Sequence, residues 1–260
     1  MEKVVESRVM NGKEKKNTLN SAKTILSVFA YIMVVTYVYL IIRRWILITD
    51  ASLEAYGSGG FINRSILLSN KDILANFTIA FDSLQVVALI GILVALILLI
   101  VNISNKNRKI LIGLSVIFTA MVILRLIRII LIHLNPDDFI FIGFVDNLGF
   151  AYFDFAFFIY STDILRMVIT VLLIISTILF ILYEQKTRKT SNTSFVAPII
   201  LGVVLLFYTA TVIYGGSIEF DTDREGATLY YIHYIAQTCL QIGNIMSYLC
   251  IGRKGKLFSS

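Results

Sequence analysis

Residues 228–251 read TLYYIHYIAQTCLQIGNIMSYLCI, and the spacing of their polar side chains decides how the chain must fold. His233, Gln237, Gln241, Asn244 and Ser247 recur at steps of four, four, three and three, which places them on one face of an α-helix. Ile232, Ile235, Leu240, Ile242 and Ile245 fill the rest of that helix. The run meets the requirement of roughly 20 residues to cross a hydrocarbon core about 30 Å thick. A membrane span with a polar stripe turns the stripe toward other helices, because polar groups in hydrocarbon are expensive. The remainder of the chain must therefore supply the bundle that this face looks into.

Five further apolar runs do so, near 24–48, 84–103, 110–134, 164–183 and 195–216. The 260 residues are 57% hydrophobic and only 15% charged, with a mean hydropathy of +0.82, which excludes a soluble domain of this size. The sequence predicts an all-α polytopic membrane protein with six transmembrane helices. A basic tail over 1–23 and another over 252–260 flank the transmembrane domain, 24–251. The first run is too long for a cleaved signal peptide and lacks a small-residue cleavage site, so it is expected to stay as an anchor. Cys239 and Cys250 lie too far apart along one helix to bridge each other.

Charge orients the bundle. Lys3, Arg8, Lys13, Lys15, Lys16 and Lys23 precede the first run; Lys106, Arg108 and Lys109 separate the second from the third. Lys186, Arg188 and Lys189 separate the fourth from the fifth, and Arg253, Lys254 and Lys256 follow the last. Of the 17 acidic residues only Glu2, Glu6, Glu14 and Glu184 share these segments. The positive-inside rule then puts both termini in the cytoplasm of a cell-membrane protein, and it accounts for the net charge of +6 without a nucleic-acid partner.

Asn70 is expected to cap a short amphipathic helix in the first outer loop, with Ile73, Leu74, Phe77 and Phe81 on one side. The second span is read as scaffold, with Ala88, Gly91 and Ala95 forming a small-residue face for close packing. Pro198 falls in the first turn of the fifth span, where its missing N–H costs little.

Two constellations could carry chemistry. The stripe of Gln237, Gln241 and Asn244 either hydrogen-bonds across helices and locks the bundle, or lines a polar path. Arg43, Arg125, Arg128 and His233 are each expected within about 8–14 Å of the outer boundary, in one layer. They either snorkel to outer headgroups or pair with Asp163 and the acidic loop, or else form an electropositive pocket for an anionic group such as a lipid phosphate or a carboxylate. Arg125 and Arg128 are three apart, hence on one helical face.

The loop over 135–163 holds Asp137, Asp138, Asp146 and Asp154 among eight phenylalanines. So apolar a loop is expected to dip into the interface or fold over the bundle, and it could dock a partner such as an extracellular peptide.

No catalytic signature is present: there is no His-Glu-x-x-His, Gly-x-Ser-x-Gly, Cys-x-x-Cys or phosphate-cradling glycine loop, and the two histidines suggest neither a metal nor another cofactor. The expected function is a permease-like protein, not an enzyme. It would bind or move an anionic or amphipathic substrate from the outer leaflet side, with membrane lipids as partners. Energy would come from a separate ATPase subunit or an ion gradient. The rival expectation is a non-transporting accessory, immunity or sensor protein that docks a partner through the aromatic and acidic loop.

Overall fold

In a computed structural model the chain is described over residues 16–42, 71–102, 105–134, 152–188, 195–217 and 225–256, and each segment contains one long helix. These are α1 (Lys16–Ile42), α2 (Lys71–Asn102), α3 (Asn105–Leu134), α4 (Tyr152–Arg188), α5 (Val196–Ser217) and α6 (Glu225–Lys256). Five contain stretches long and apolar enough to cross a membrane: Lys16–Ile42, Ile79–Asn102, Asn107–Leu131, Ile164–Thr187 and Val196–Ile213. The sixth helix, α6, is of similar length, carries the polar stripe and is not among those five.

The bundle is polar inside and apolar outside at many positions. Val101, Val116, Ile123, Val203 and Leu206 project outward and are exposed, whereas Asp82, Arg125, Gln237 and Asn244 are buried. Water would not tolerate such continuous apolar walls, and lipid covers them at no cost. This is a helical membrane bundle.

α3 is described to Leu134. At the start of α5 the Ile199 amide bonds the Phe195 carbonyl at 3.1 Å, so the first turn closes around Pro198 without needing its absent N–H.

Neighbouring helices run antiparallel. Asp82 near the start of α2 meets Arg125 and Arg128 near the end of α3. Asn107 at the start of α3 donates to the Thr187 hydroxyl at the end of α4, 3.2 Å away. Met167 of α4 accepts from Thr209 of α5, and α5 packs along α6, where Leu201 fills the space beside Gly243. α1 closes the bundle: Ser27 donates to the Gly252 carbonyl of α6 at 3.0 Å, and Phe29 lies against Gly91 of α2. The expected small-residue face is present, with Ala88 and Ala95 fully buried on either side of Gly91.

Two expectations are corrected. The short amphipathic segment with Ile73, Leu74, Phe77 and Phe81 is not a separate helix: α2 runs unbroken from Lys71 to Asn102, since neither proline nor glycine interrupts the chain before Gly91, and Asn70 lies outside the described residues. Likewise the fourth helix begins at Tyr152, so residues 152–163 of the aromatic segment extend α4 and are not loop.

Candidate functional site

Three side chains of opposite charge meet inside the bundle. Asp82 sits one turn into the apolar part of α2 with only 2% of its surface exposed. Its Oδ1 accepts from Arg128 Nη1 at 2.9 Å and lies 3.5 Å from Arg125 Nη1. The i, i+3 spacing of the two arginines aims both guanidiniums at α2 from one face of α3. Asp82 and Gln85 repeat that spacing on α2, so the two faces interlock.

Arg125 is the more fully held. Its Nη2 donates to the Tyr37 hydroxyl of α1 at 2.6 Å, and its Nη1 donates to Gln85 Oε1. The Gln85 amide is oriented by a relay: Thr36 donates to the Met33 carbonyl at 2.8 Å, which leaves its oxygen to accept from Gln85 Nε2 at 3.0 Å. With its nitrogen so committed, Gln85 must turn its oxygen to the arginine. The Tyr37 ring also lies under the Arg125 guanidinium, 5.9 Å from its centroid.

A second arginine–tyrosine pair stands beside the first. Arg166 of α4 donates to the Tyr208 hydroxyl of α5 at 2.8 Å and stacks over that ring at 5.9 Å. Arg166 is close enough to Arg128 for their charges to repel. Within the Asp82–Arg125–Arg128 cluster one carboxylate faces two guanidiniums that stay protonated at any physiological pH. Asp82 Oδ2 and the Nε atoms of Arg125 and Arg128 are buried with no hydrogen-bond partner.

The α6 stripe joins this cluster through two tyrosines. Tyr248 lies four residues beyond Asn244, on the same face, and its ring stacks on Tyr37 with centroids 6.0 Å apart. Gln237, Asn244, Ser247 and Tyr248 are buried, and Gln241 is half-buried. Gln237 Oε1, Gln241 Oε1, Asn244 Oδ1, Ser247 Oγ and the Tyr248 hydroxyl all lack a hydrogen-bond partner. The stripe faces the interior, as its periodicity requires, but these atoms do not lock it to another helix. From Gln237 to Tyr248 it runs roughly 16 Å along the axis.

Of the residues singled out from the sequence, Arg125 and Arg128 come together on Asp82, and Gln237, Gln241 and Asn244 share the buried face of α6. Arg43, Asp137, Asp138 and Asp146 lie outside the described residues. His233 falls on α6 and Asp154 on α4, at positions whose side chains are likewise outside the described set. Of the alternatives for Arg125, snorkelling does not hold, because its guanidinium is buried among α1, α2 and α3. The second span, read as scaffold, also supplies the carboxylate and the amide of the cluster. Asp82, Gln85, Thr36, Tyr37 and Tyr248 were not anticipated. The available signal was the Asp82–Gln85 pair, an acid and an amide three apart at the head of an apolar run.

Fold and site together define a multi-pass helical membrane protein with a buried Asp82–Arg125–Arg128 cluster that touches a polar helix face through the Tyr37–Tyr248 stack. No protein-family model matches the chain, and neither a characterised protein nor a solved structure is significantly similar to it.

Proposed function

We propose that the chain is a permease-like protein of the cell membrane, a carrier and not an enzyme. It binds an anionic or amphipathic substrate from the outer leaflet side and passes it along α6, with both termini in the cytoplasm. The observation that carries this reading is the sharing of one Asp82 oxygen by two buried guanidiniums, with the unbonded polar face of α6 beside them. Among the described side chains of the cluster guanidiniums outnumber carboxylates two to one, and an excess of positive charge attracts an anion. Arg128 is the primary contact, since its one hydrogen bond within the cluster is to Asp82, while Arg125 is tied to Tyr37 and Gln85 as well. Gln237, Gln241 and Asn244 lie on the outer side of Tyr248 in this orientation and line the approach to the cluster with groups able to bond a moving ligand. All six helices cross the membrane in this reading, and an ion gradient or a separate ATPase subunit supplies energy.

Hexanesulfonate, a small amphipathic anion that stays charged at every working pH, is a suitable probe. The purified full-length chain should bind it saturably, and Arg128→Gln should weaken binding at least about tenfold, the loss of one charged hydrogen bond. In phosphatidylcholine liposomes the wild type should also speed its entry. Equal affinity of wild type and Arg128→Gln would sink the reading.

A further inference from the structure

We propose that the polar face of α6 is a hydroxyl-recognition site, and that the anion bound beside it carries a polyol, two or more neighbouring hydroxyls joined to its charged group. The inference deepens the anion-site reading above and rests on it for the charged group. Its substrate class is a polyhydroxylated anion, as opposed to one whose remainder is plain hydrocarbon.

The kind of atom left unbonded carries the proposal. Gln237 Oε1, Gln241 Oε1, Asn244 Oδ1, Ser247 Oγ and the Tyr248 hydroxyl have no hydrogen-bond partner in the protein. Gln237, Asn244, Ser247 and Tyr248 are at most 4% exposed. Buried polar atoms are costly to leave unbonded, so five on one helix face point to a ligand that bonds them. All five are neutral oxygens that accept, and the two hydroxyls and the amide nitrogens of the same side chains also donate.

The chemistry of the ligand follows from what surrounds these atoms. From Gln237 to Tyr248 α6 carries no acidic or basic residue, and α5, which packs along it, carries none over its whole length. A cation or an anion held on this face would be a buried charge with no counter-charge on either helix. The group that fits is neutral and both donates and accepts, as a hydroxyl does. The side chains recur at every turn, with Cβ atoms about 5–6 Å apart, so one hydroxyl serves one position. An amide offers its donor and acceptor at a single point, whereas a polyol repeats them at each carbon. The stripe ends beside the charged cluster: the Tyr248 ring stacks on Tyr37, and Tyr37 lies under the Arg125 guanidinium and accepts from it. One tyrosine ring thus separates the charge from the stripe, which places both within one elongated ligand.

The test uses two matched pairs of anions, read by their displacement of radiolabelled hexanesulfonate from the purified full-length chain in phosphatidylcholine nanodiscs. Hexanoate and gluconate share a six-carbon skeleton and one carboxylate, and gluconate adds five hydroxyls. Dihexanoylphosphatidylpropanol and dihexanoylphosphatidylglycerol share one phosphodiester, and the second adds two hydroxyls. In at least one pair the hydroxylated member should bind about tenfold or more tightly, the worth of one or two added hydrogen bonds. A preference in the soluble pair assigns the natural ligand to soluble anions; a preference confined to the lipid pair assigns it to a lipid headgroup. Gln241→Leu and, separately, Asn244→Ala should each lower the preference about threefold or more. The preference is a ratio within one variant, so any loss of stability or of anion affinity shared by both members cancels. The wild-type ratios need no variant at all. Equal affinities in both pairs, or tighter binding of the plain members, overturn the proposal and leave the anion site intact, the result expected where water alone bonds the stripe. A preference that neither substitution moves also overturns it. Failure of hexanesulfonate itself to bind overturns both the hydroxyl preference and the anion site.

Discussion

The polar groups at the Asp82 cluster and those along α6 are buried in the same bundle, but the cluster bonds across helices and leaves only Asp82 Oδ2 and the two arginine Nε atoms without a partner, whereas the α6 stripe makes no such bonds among the described residues. At the cluster, Thr36, Tyr37, Asp82, Gln85, Arg125 and Arg128 bond one another across three helices. Along α6, Gln237, Gln241, Asn244, Ser247 and Tyr248 each keep an atom with no protein partner. A charged group taken from water must be paired, so the cluster is forced into a network; a neutral amide costs far less to leave waiting. The difference separates a network that holds charges in place from a face whose polar atoms are left without a protein partner.

The sharpest way to break this contrast is to remove the carboxylate. Asp82→Ala leaves two guanidiniums facing each other with no counter-charge, and should lower stability by about 3–5 kcal/mol, read from thermal unfolding in detergent. A change below about 1 kcal/mol would mean that the arginines find water or lipid headgroups, and that the cluster is not sealed.

Backbone contact comes next. A Cβ at Gly91 would run into the Phe29 ring, so Gly91→Ala should cost about 1–3 kcal/mol by overpacking. Gly113 has open space around the same position, and Gly113→Ala should be neutral or stabilising by up to about 1 kcal/mol through helix propensity. Equal effects at the two sites would show that α1 does not seat against α2 there, and would loosen Tyr37 from Arg125.

Smaller again is the bond at the opposite end of the bundle. Asn107 donates to Thr187 in an exposed setting, and Asn107→Ala should cost about 0.6 kcal/mol, the usual worth of such a bond between membrane helices. A loss approaching that of Asp82→Ala would erase the distinction between a charged network and a neutral contact.

The membrane spans were legible in the sequence because apolar length is a property of a run and needs no partner. The buried face of α6 was legible for a similar reason: polar side chains repeating every three or four residues can share only one side of a helix. The ion cluster was half legible. Arg125 and Arg128 announced themselves as charges inside an apolar run. Asp82 did not, because it stands at the head of its run and was counted with the acidic outer segments. Tyr37 and Tyr248 were hidden among 13 tyrosines, a residue common at membrane interfaces for unrelated reasons. They meet only because the first helix packs against the last, and no periodicity within either helix encodes that. The corrected start of α2 has the same root: a surface helix and an extension of a span have identical local patterns, and only the packing of α2 on α1 and α3 distinguishes them.

The smallest change in stability should come from the α6 stripe, and it is the one that bears most on function. Gln241 Oε1 bonds nothing in the protein, so Gln241→Leu removes no hydrogen bond through that atom and adds apolar contact; stability should change by less than about 1 kcal/mol in either direction. Entry of hexanesulfonate into liposomes should nevertheless fall, because a leucine offers the ligand no bond at that point of the path. The same face can be mapped with single cysteines at positions 237, 241 and 244 in a background lacking Cys239 and Cys250, which are both free thiols. A water-soluble maleimide should label all three and spare a cysteine at Leu89, which is fully buried on α2. Protection of all three, together with a clear loss of stability in Gln241→Leu, would mean that α6 is bonded as tightly as the Asp82 cluster. The polar face would then be a lock, and the excess charge beside it would have no path to serve.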